Sequence, residues 1–140
     1  MSNQREIKFR AWTEFEPEIT KGSRRGEMSK SFGVLDDTRE FSKNNILMQY
    51  TGLKDKNGVE IYEGDILADV DEPEPCIHKV YWENDALRFN ILTLVDDEGN
   101  WDSGIYDELS EGAEKGKTKY FEVIGNIYEN PELIKDHETN

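Results

Sequence analysis

The sequence contains very few of the side chains that bind transition metals or act as strong nucleophiles. Its 140 residues include one cysteine, Cys76, and two histidines, His78 and His137. One cysteine excludes an intrachain disulfide, and a zinc site usually needs four ligands of these types. Cys76 and His78 would share one face of a strand, but His137 lies in a C-terminal tail that we expect to fray. We therefore predict no metal site and no bound cofactor.

Long apolar runs are also missing. No segment approaches the roughly 18 apolar residues of a membrane-spanning helix. The N-terminal residues 1–6, MSNQRE, lack the apolar stretch of a secretory signal peptide. These absences favour a soluble protein of the cytoplasm that has no membrane partner.

Basic residues are outnumbered by acidic ones. Lys and Arg contribute 17 residues and Asp and Glu contribute 31, so that the formal net charge is −14. A surface this negative repels the phosphate backbone of nucleic acids and anionic lipids. We therefore expect no direct binding to nucleic acid and, instead, attraction to basic protein partners. Solubility alone also explains the charge, and both interpretations stay open.

The acidic residues form no recognisable catalytic or calcium-binding motif. Asp55-Lys-Asn57-Gly58 is similar to the middle of a calcium-binding loop, but Leu53 and Gly64 would occupy the first and twelfth positions, where Asp and Glu are required. Neighbouring acids elsewhere could assist acid–base chemistry, yet nothing indicates a buried carboxylate beside a substrate cleft. We therefore predict a turn at residues 55–58 and no enzymatic activity.

Short strands separated by turn signals dominate the chain. Ile7, Phe9 and Ala11 alternate with charged residues, which is typical of a strand with one buried face, and Asn84-Asp85 marks the turn of a hairpin. The predicted strands cover residues 6–12, 46–51, 59–62, 65–70, 77–83, 86–95 and 119–128. This pattern predicts a mainly β fold: a small barrel or sandwich-like domain of short antiparallel strands with one or two short helices.

We expect the chain to form one domain over residues 1–140. The polar, glycine-containing segment 13–32 predicts a mobile loop, and residues 135–140 are expected to form a frayed tail. One short helix is predicted around residues 106–113. A second is expected to begin at Asn130-Pro131-Glu132, because Asn is a preferred helix cap and proline suits the first helical position.

Four stretches spread along the chain carry a family resemblance. They are residues 5–12 (REIKFRAW), 48–67 (MQYTGLKDKNGVEIYEGDIL), 80–82 (VYW) and 121–133 (FEVIGNIYENPEL). Together they resemble the YopX family of phage and prophage proteins, and the twenty-residue stretch 48–67 is the most specific of them. The resemblance implies a mainly β structure and an origin in a phage or prophage. It implies no catalytic activity and transfers no functional residues.

Three kinds of function are compatible with this sequence. The leading hypothesis is a non-enzymatic protein–protein interaction module whose acidic surface contacts a host or phage protein and would suit a basic one. A sharper form is a DNA mimic that occupies a host DNA-binding protein. The second is a self-assembling structural component, because thin-cored β domains gain stability by pairing exposed edges into a homo-oligomer. An enzyme comes last. The residues expected to contact a partner are Glu63, Asp65, Asp69, Asp71, Glu72, Glu74, Asp96, Asp97 and Glu98.

Overall fold

The computed structural model of the protein describes residues 6–14, 26–33, 45–69, 73, 76–95, 106–107 and 115–134. These residues are mostly β, as predicted, and one helical turn covers residues 132–134. Within this described part, no helix is long and apolar enough to cross a membrane. The strands are β1 Lys8–Glu14, β2 Gly26–Met28, β3 Phe32–Gly33, β4 Asn45–Lys54, β5 Glu60–Tyr62, β6 Asp65–Asp69, β7 Ile77–Glu83, β8 Arg88–Val95, β9 Tyr106–Asp107 and β10 Phe121–Asn126.

The strands form two five-stranded sheets. In the first, the strand order is β2-β1-β4-β5, and β3 also pairs with β1. In the second, the order is β10-β6-β7-β8-β9. The β1–β4 pair is antiparallel, and so are the β10–β6, β6–β7, β7–β8 and β8–β9 pairs of the second sheet.

Contacts divide the chain into two compact units, Met1–Tyr50 and Thr51–Asn140. The first contains β1, β2, β3 and the start of β4, with Ala11, Trp12 and Met48 among its buried residues. Gly26 of β2 lies so close to the Trp12 indole that a Cβ atom there would overlap the ring. Glycine is therefore required where β2 packs over Trp12. The single domain over the whole chain remains a prediction.

The second unit has apolar clusters that meet at β6. Ile61, Leu67, Val80, Ile91 and Phe121 form one cluster. Ile66 and Ile134 form another, against which Ile77, Leu92, Ile127 and Leu133 pack. Neighbouring residues of a strand point to opposite faces, so adjacent positions of β6 and of β8 serve different clusters. The second sheet is therefore covered by apolar side chains on both faces where these strands run.

Two predicted elements differ from the structure in the first half of the chain. The predicted loop 13–32 begins inside β1 and contains β2 and the start of β3. Ser29 holds the segment after β2 against β1. The Ser29 Oγ accepts a hydrogen bond from the Ala11 N–H, and the Ser29 N–H donates to the Ala11 carbonyl. Residues 15–25 of that loop lie outside the described residues. The strand predicted over residues 46–51 extends from Asn45 to Lys54. Gly52, expected to follow the strand, lies inside it with a φ of 89°.

The helix predictions are corrected in the second half. Tyr106 and Asp107 form β9, paired with Leu92 and Ile91, rather than the start of a helix; residues 108–114 are outside the described part, as are 135–140. The turn at 132–134 is helical, but Asn130 does not cap it as expected. Its Oδ1 instead accepts a hydrogen bond from the Asn126 N–H at 3.2 Å.

A buried carboxylate organises the turn after β4. Asp55 is fully buried, and its Oδ1 accepts from the N–H groups of Asn57 at 2.8 Å and Val59 at 2.9 Å. Its Oδ2 accepts from the N–H of Val123 in β10 at 3.0 Å. Gly58 completes the turn with a φ of 90°. The predicted turn at 55–58 is thus confirmed, and its first carboxylate reaches a distant strand.

Replacing Asp55 with asparagine should destabilise the fold by about 3 kcal/mol. The amide nitrogen of the introduced side chain would face a backbone N–H, so at least one buried donor would lose its acceptor. Urea unfolding of Asp55→Asn against the natural chain measures this loss. Asp85→Asn, at an exposed turn position, is the matched control and should change the free energy of unfolding by less than about 0.5 kcal/mol. Equal effects of the two substitutions would contradict the assigned role.

Candidate interaction surface at the β7–β8 hairpin

The predicted acidic contact residues have different environments. Glu63 and Asp69 are half-buried, at the turn before β6 and at its end. Asp65 is only 1% exposed, which corrects its assignment to an exposed contact surface. Its Oδ2 accepts from the Tyr62 N–H at 2.8 Å and so closes the tight turn between β5 and β6, in which Gly64 has a φ of 83°.

The remaining predicted contact residues lie outside the described residues. They are Asp71, Glu72, Glu74, Asp96, Asp97 and Glu98. For these residues the acidic contact surface stays a prediction.

The β7–β8 hairpin presents apolar side chains at its tip. Its turn covers residues 84–87, which confirms the hairpin predicted at Asn84-Asp85. Trp82 and Phe89 pair across the strands, and their rings meet edge-to-face at 5.0 Å. Phe89 packs against the core cluster, whereas Trp82 is 39% exposed and Leu87 is 74% exposed. We name Trp82, Glu83, Leu87, Arg88 and Phe89 the hairpin tip.

The opposite face of the hairpin is polar. The Glu83 carboxylate accepts from Asn90 Nδ2 at 2.9 Å and from Arg88 Nε at 3.1 Å. The hydrogen bond from Asn90, followed by that from Arg88, lowers the pKa of Glu83 from its ordinary value of 4.5. Glu83 is therefore ionised at neutral pH, and the hairpin separates an aromatic face from a charged one.

Leu87 has an unusual backbone conformation. Its φ is 52°, in the left-handed region that glycine and asparagine adopt readily and that bulky residues rarely occupy. Holding a leucine there costs on the order of 1 kcal/mol. Its side chain recovers little of this by burial, because it is mostly in solvent. Neither local geometry nor core packing explains a leucine at this position.

Sequence reasoning missed Leu87 because it assigned Ala86 and Leu87 to the second strand. The structure begins β8 at Arg88. The turn predicted at Asn84-Asp85 could have placed Leu87 in the connection between the strands. A four-residue connection of this kind needs a residue with positive φ near its end. The apolar residues Ala86 and Leu87 were interpreted as the first two positions of the strand predicted over residues 86–95.

The described residues offer little to a metal ion or a nucleophilic mechanism. No group of three or more His, Cys, Asp or Glu side chains able to hold a metal ion occurs in the described ranges. Cys76 is half-buried. His78 is buried, and its ring meets the edge of the Phe121 ring at 5.2 Å.

The fold and the hairpin tip define a small, acidic, mostly β protein with exposed apolar side chains at one hairpin. A family model described as "YopX protein" matches residues 3–135, and the chain belongs to the YopX family. A solved structure, "Crystal structure of protein EF1440 from Enterococcus faecalis", is similar at 28% identity and a TM-score of 0.46, covering 91% of this chain and 97% of that chain. No curated protein matches the sequence.

The lowered pKa of Glu83 predicts a pH-dependent contribution to stability. A carboxylate with a folded-state pKa below 4.5 stabilises the fold above that pH, and the contribution is lost as the pH falls through the folded-state pKa. Glu83→Gln should therefore lower the melting temperature at pH 7. The difference from the natural chain should shrink as the pH falls below 4.5 and through the lower folded-state pKa. Thermal unfolding at several pH values tests this. A gap of equal size at neutral and acidic pH would contradict it.

Proposed function

We propose that the protein is a non-enzymatic protein–protein interaction module of phage or prophage origin, which acts in the bacterial cytoplasm and contacts its partner through the hairpin tip. The observation that carries this proposal is Leu87, an exposed leucine held in a left-handed conformation. A strained residue that contributes little to the fold is a sound reason to look for function at that position.

The side chains of the hairpin tip suit a protein interface. Tryptophan and arginine are enriched among the residues that dominate binding energy. Arg88 follows Leu87 directly, and Trp82 lies on the facing strand of the same hairpin, paired with Phe89. Fully burying a leucine contributes about 1.5–3 kcal/mol, and most of the Leu87 surface is still exposed. A partner that covers it gains tenfold or more in affinity.

Charge indicates the chemistry of the partner. The chain carries a net charge of −14, Glu83 is ionised, and Asp85 is exposed within the turn. The complementary surface is an apolar pocket flanked by basic side chains on a host or phage protein. Glu63 and Asp69, together with the predicted acidic residues outside the described part, would strengthen the attraction most at low ionic strength.

The buried acids support a role without catalysis. Asp55 and Asp65 are the buried carboxylates of the described ranges, and both accept hydrogen bonds from backbone N–H groups. These bonds account for their burial through the geometry of two turns, so neither acid requires a substrate to explain it.

A pair of substitutions tests the contact while relieving the same backbone strain. Leu87→Asn removes the apolar side chain, and Lys115→Asn changes the other described non-glycine residue with positive φ, at 54°. Tagged forms of both variants and of the natural chain capture proteins from host lysate, and a captured protein is then purified and its affinity measured. We expect at least a tenfold loss for Leu87→Asn, little change for Lys115→Asn, and weaker binding as salt rises.

The alternative outcomes separate the competing functions. Equal affinity of Leu87→Asn and the natural chain would exclude the hairpin tip as the contact. Binding that is insensitive to salt would contradict a basic partner, including a DNA-binding protein occupied by mimicry. Capture of the chain alone would favour a self-assembling component.

Stability should change in the opposite direction to binding. Asparagine tolerates the left-handed conformation better than leucine, so Leu87→Asn should raise the free energy of unfolding by up to about 1 kcal/mol. Urea unfolding measures this. A clear loss of stability would show that Leu87 supports the fold, and the argument for a functional leucine would then fail.

A further inference from the structure

The fold brings together two segments rich in lysine, residues 54–58 and 115–120. Lys54 and Lys117 are partners in an isolated parallel β-bridge. The Lys54 N–H donates to the Gly116 carbonyl, and the Thr118 N–H donates to the Lys54 carbonyl, both at 2.7 Å. The Lys56 N–H donates to the Phe121 carbonyl at 3.0 Å. The backbones of the two segments are therefore fixed side by side.

The side chains of these segments form a positively charged surface in an acidic protein. Its five lysines are all exposed, and we name them the lysine patch: Lys54, Lys56, Lys115, Lys117 and Lys119. The one acid within the two segments is Asp55, which is fully buried. Lys117 reaches across the neighbouring turn, since its Nζ lies 4.0 Å from the position of a Cβ on Gly58.

Ion pairs do not explain three of these lysines. Elsewhere Lys8 and Arg88 lie beside Glu6 and Glu83. Within the described ranges, no carboxylate lies at ion-pair distance from Lys54, Lys115 or Lys117. Lys115 and Gly116 have consecutive φ values of 54° and 76°, as in a type I′ turn. Asparagine is preferred over lysine at the first of these positions.

An aromatic ring lies next to the charges. Tyr120 is 38% exposed, and Lys119 Nζ lies 5.3 Å from its ring centroid. Basic side chains beside an exposed aromatic ring are the combination by which proteins bind single-stranded nucleic acids, because phosphates contact the cations while a base stacks on the ring.

We infer that the lysine patch binds the phosphate backbone of single-stranded nucleic acid and that Tyr120 stacks on a base. A base paired in a duplex is not available to stack on Tyr120, which favours single strands. The net charge predicted no nucleic acid binding, but it averages over the whole surface. At physiological salt the charges act over only about 8 Å, so the charges nearest a bound strand matter more than the net charge of the chain. This inference is independent of the proposed protein contact.

The test is binding of fluorescein-labelled oligothymidylate, about 16 nucleotides long, followed by fluorescence anisotropy between about 50 and 200 mM salt. Each phosphate contact with a single strand contributes about −0.7 to the slope of log K against log salt. Three to five lysine contacts therefore predict a slope of about −2 to −3.5. Absence of binding at the lowest salt would overturn the inference.

Matched variants assign binding to the lysine patch. Lys117→Glu and Lys30→Glu change the net charge equally, and Lys30 is an exposed lysine of the first unit. We expect a loss of about tenfold or more for Lys117→Glu and of less than about twofold for Lys30→Glu. Lys54→Glu is the second variant should Lys117→Glu not fold. Equal losses for the patch variant and Lys30→Glu would show an effect of total charge and overturn the inference.

Tyrosine variants separate a nucleic acid from an acidic protein as the partner. Tyr120→Ala should weaken binding several-fold, and Tyr120→Phe, which keeps the ring, should restore it. Poly-glutamate should compete poorly. Two results together would show that the lysine patch recognises an acidic protein and that the inference is wrong. Poly-glutamate would displace the oligonucleotide when both are present at the same concentration of negative charges, and Tyr120→Ala would bind the oligonucleotide as tightly as the natural chain.

Discussion

The carboxylate of Asp55 joins the turn after β4 to Val123, a residue 68 positions further along the chain. A fully buried charge is tolerated only where hydrogen bonds replace its hydration, and here backbone N–H groups supply them. The group therefore fixes the turn and β10 relative to each other. β10 pairs with β6, so this one side chain links the turn to the second sheet.

β6 explains why residues 48–67 carry the most specific part of the family resemblance. Ile66 and Leu67 are fully buried in different apolar clusters, and this strand therefore tolerates neither a polar substitution nor a register shift. The same stretch includes Asp55 and Asp65, whose carboxylates close two turns. A family pattern in this stretch thus reflects how the chain folds. The surfaces that would contact other molecules, the hairpin tip and the lysine patch, lie largely outside it.

The parts of the fold that were predictable depend on neighbouring residues. The β7–β8 hairpin follows from alternating apolar residues around Asn84-Asp85, and the mainly β class follows from repeated patterns of this kind. β2 and β3 have three and two residues, too few for an alternation to be recognised. The roles of Asp55 and Asp65 were not predictable, since only tertiary structure shows which carboxylate is buried and which, like Glu63, retains exposure.

Leu87 and Lys115 are the two non-glycine residues of the described part that adopt positive φ. Both occupy turns, both are exposed, and glycine or asparagine would suit either backbone better. Selection for stability alone would not retain them, because their side chains gain little from the fold. One is apolar and the other basic, in a chain whose net charge is −14. The hairpin tip and the lysine patch therefore differ in chemistry from each other and from the acidic composition of the chain. A single partner of uniform charge would not explain both.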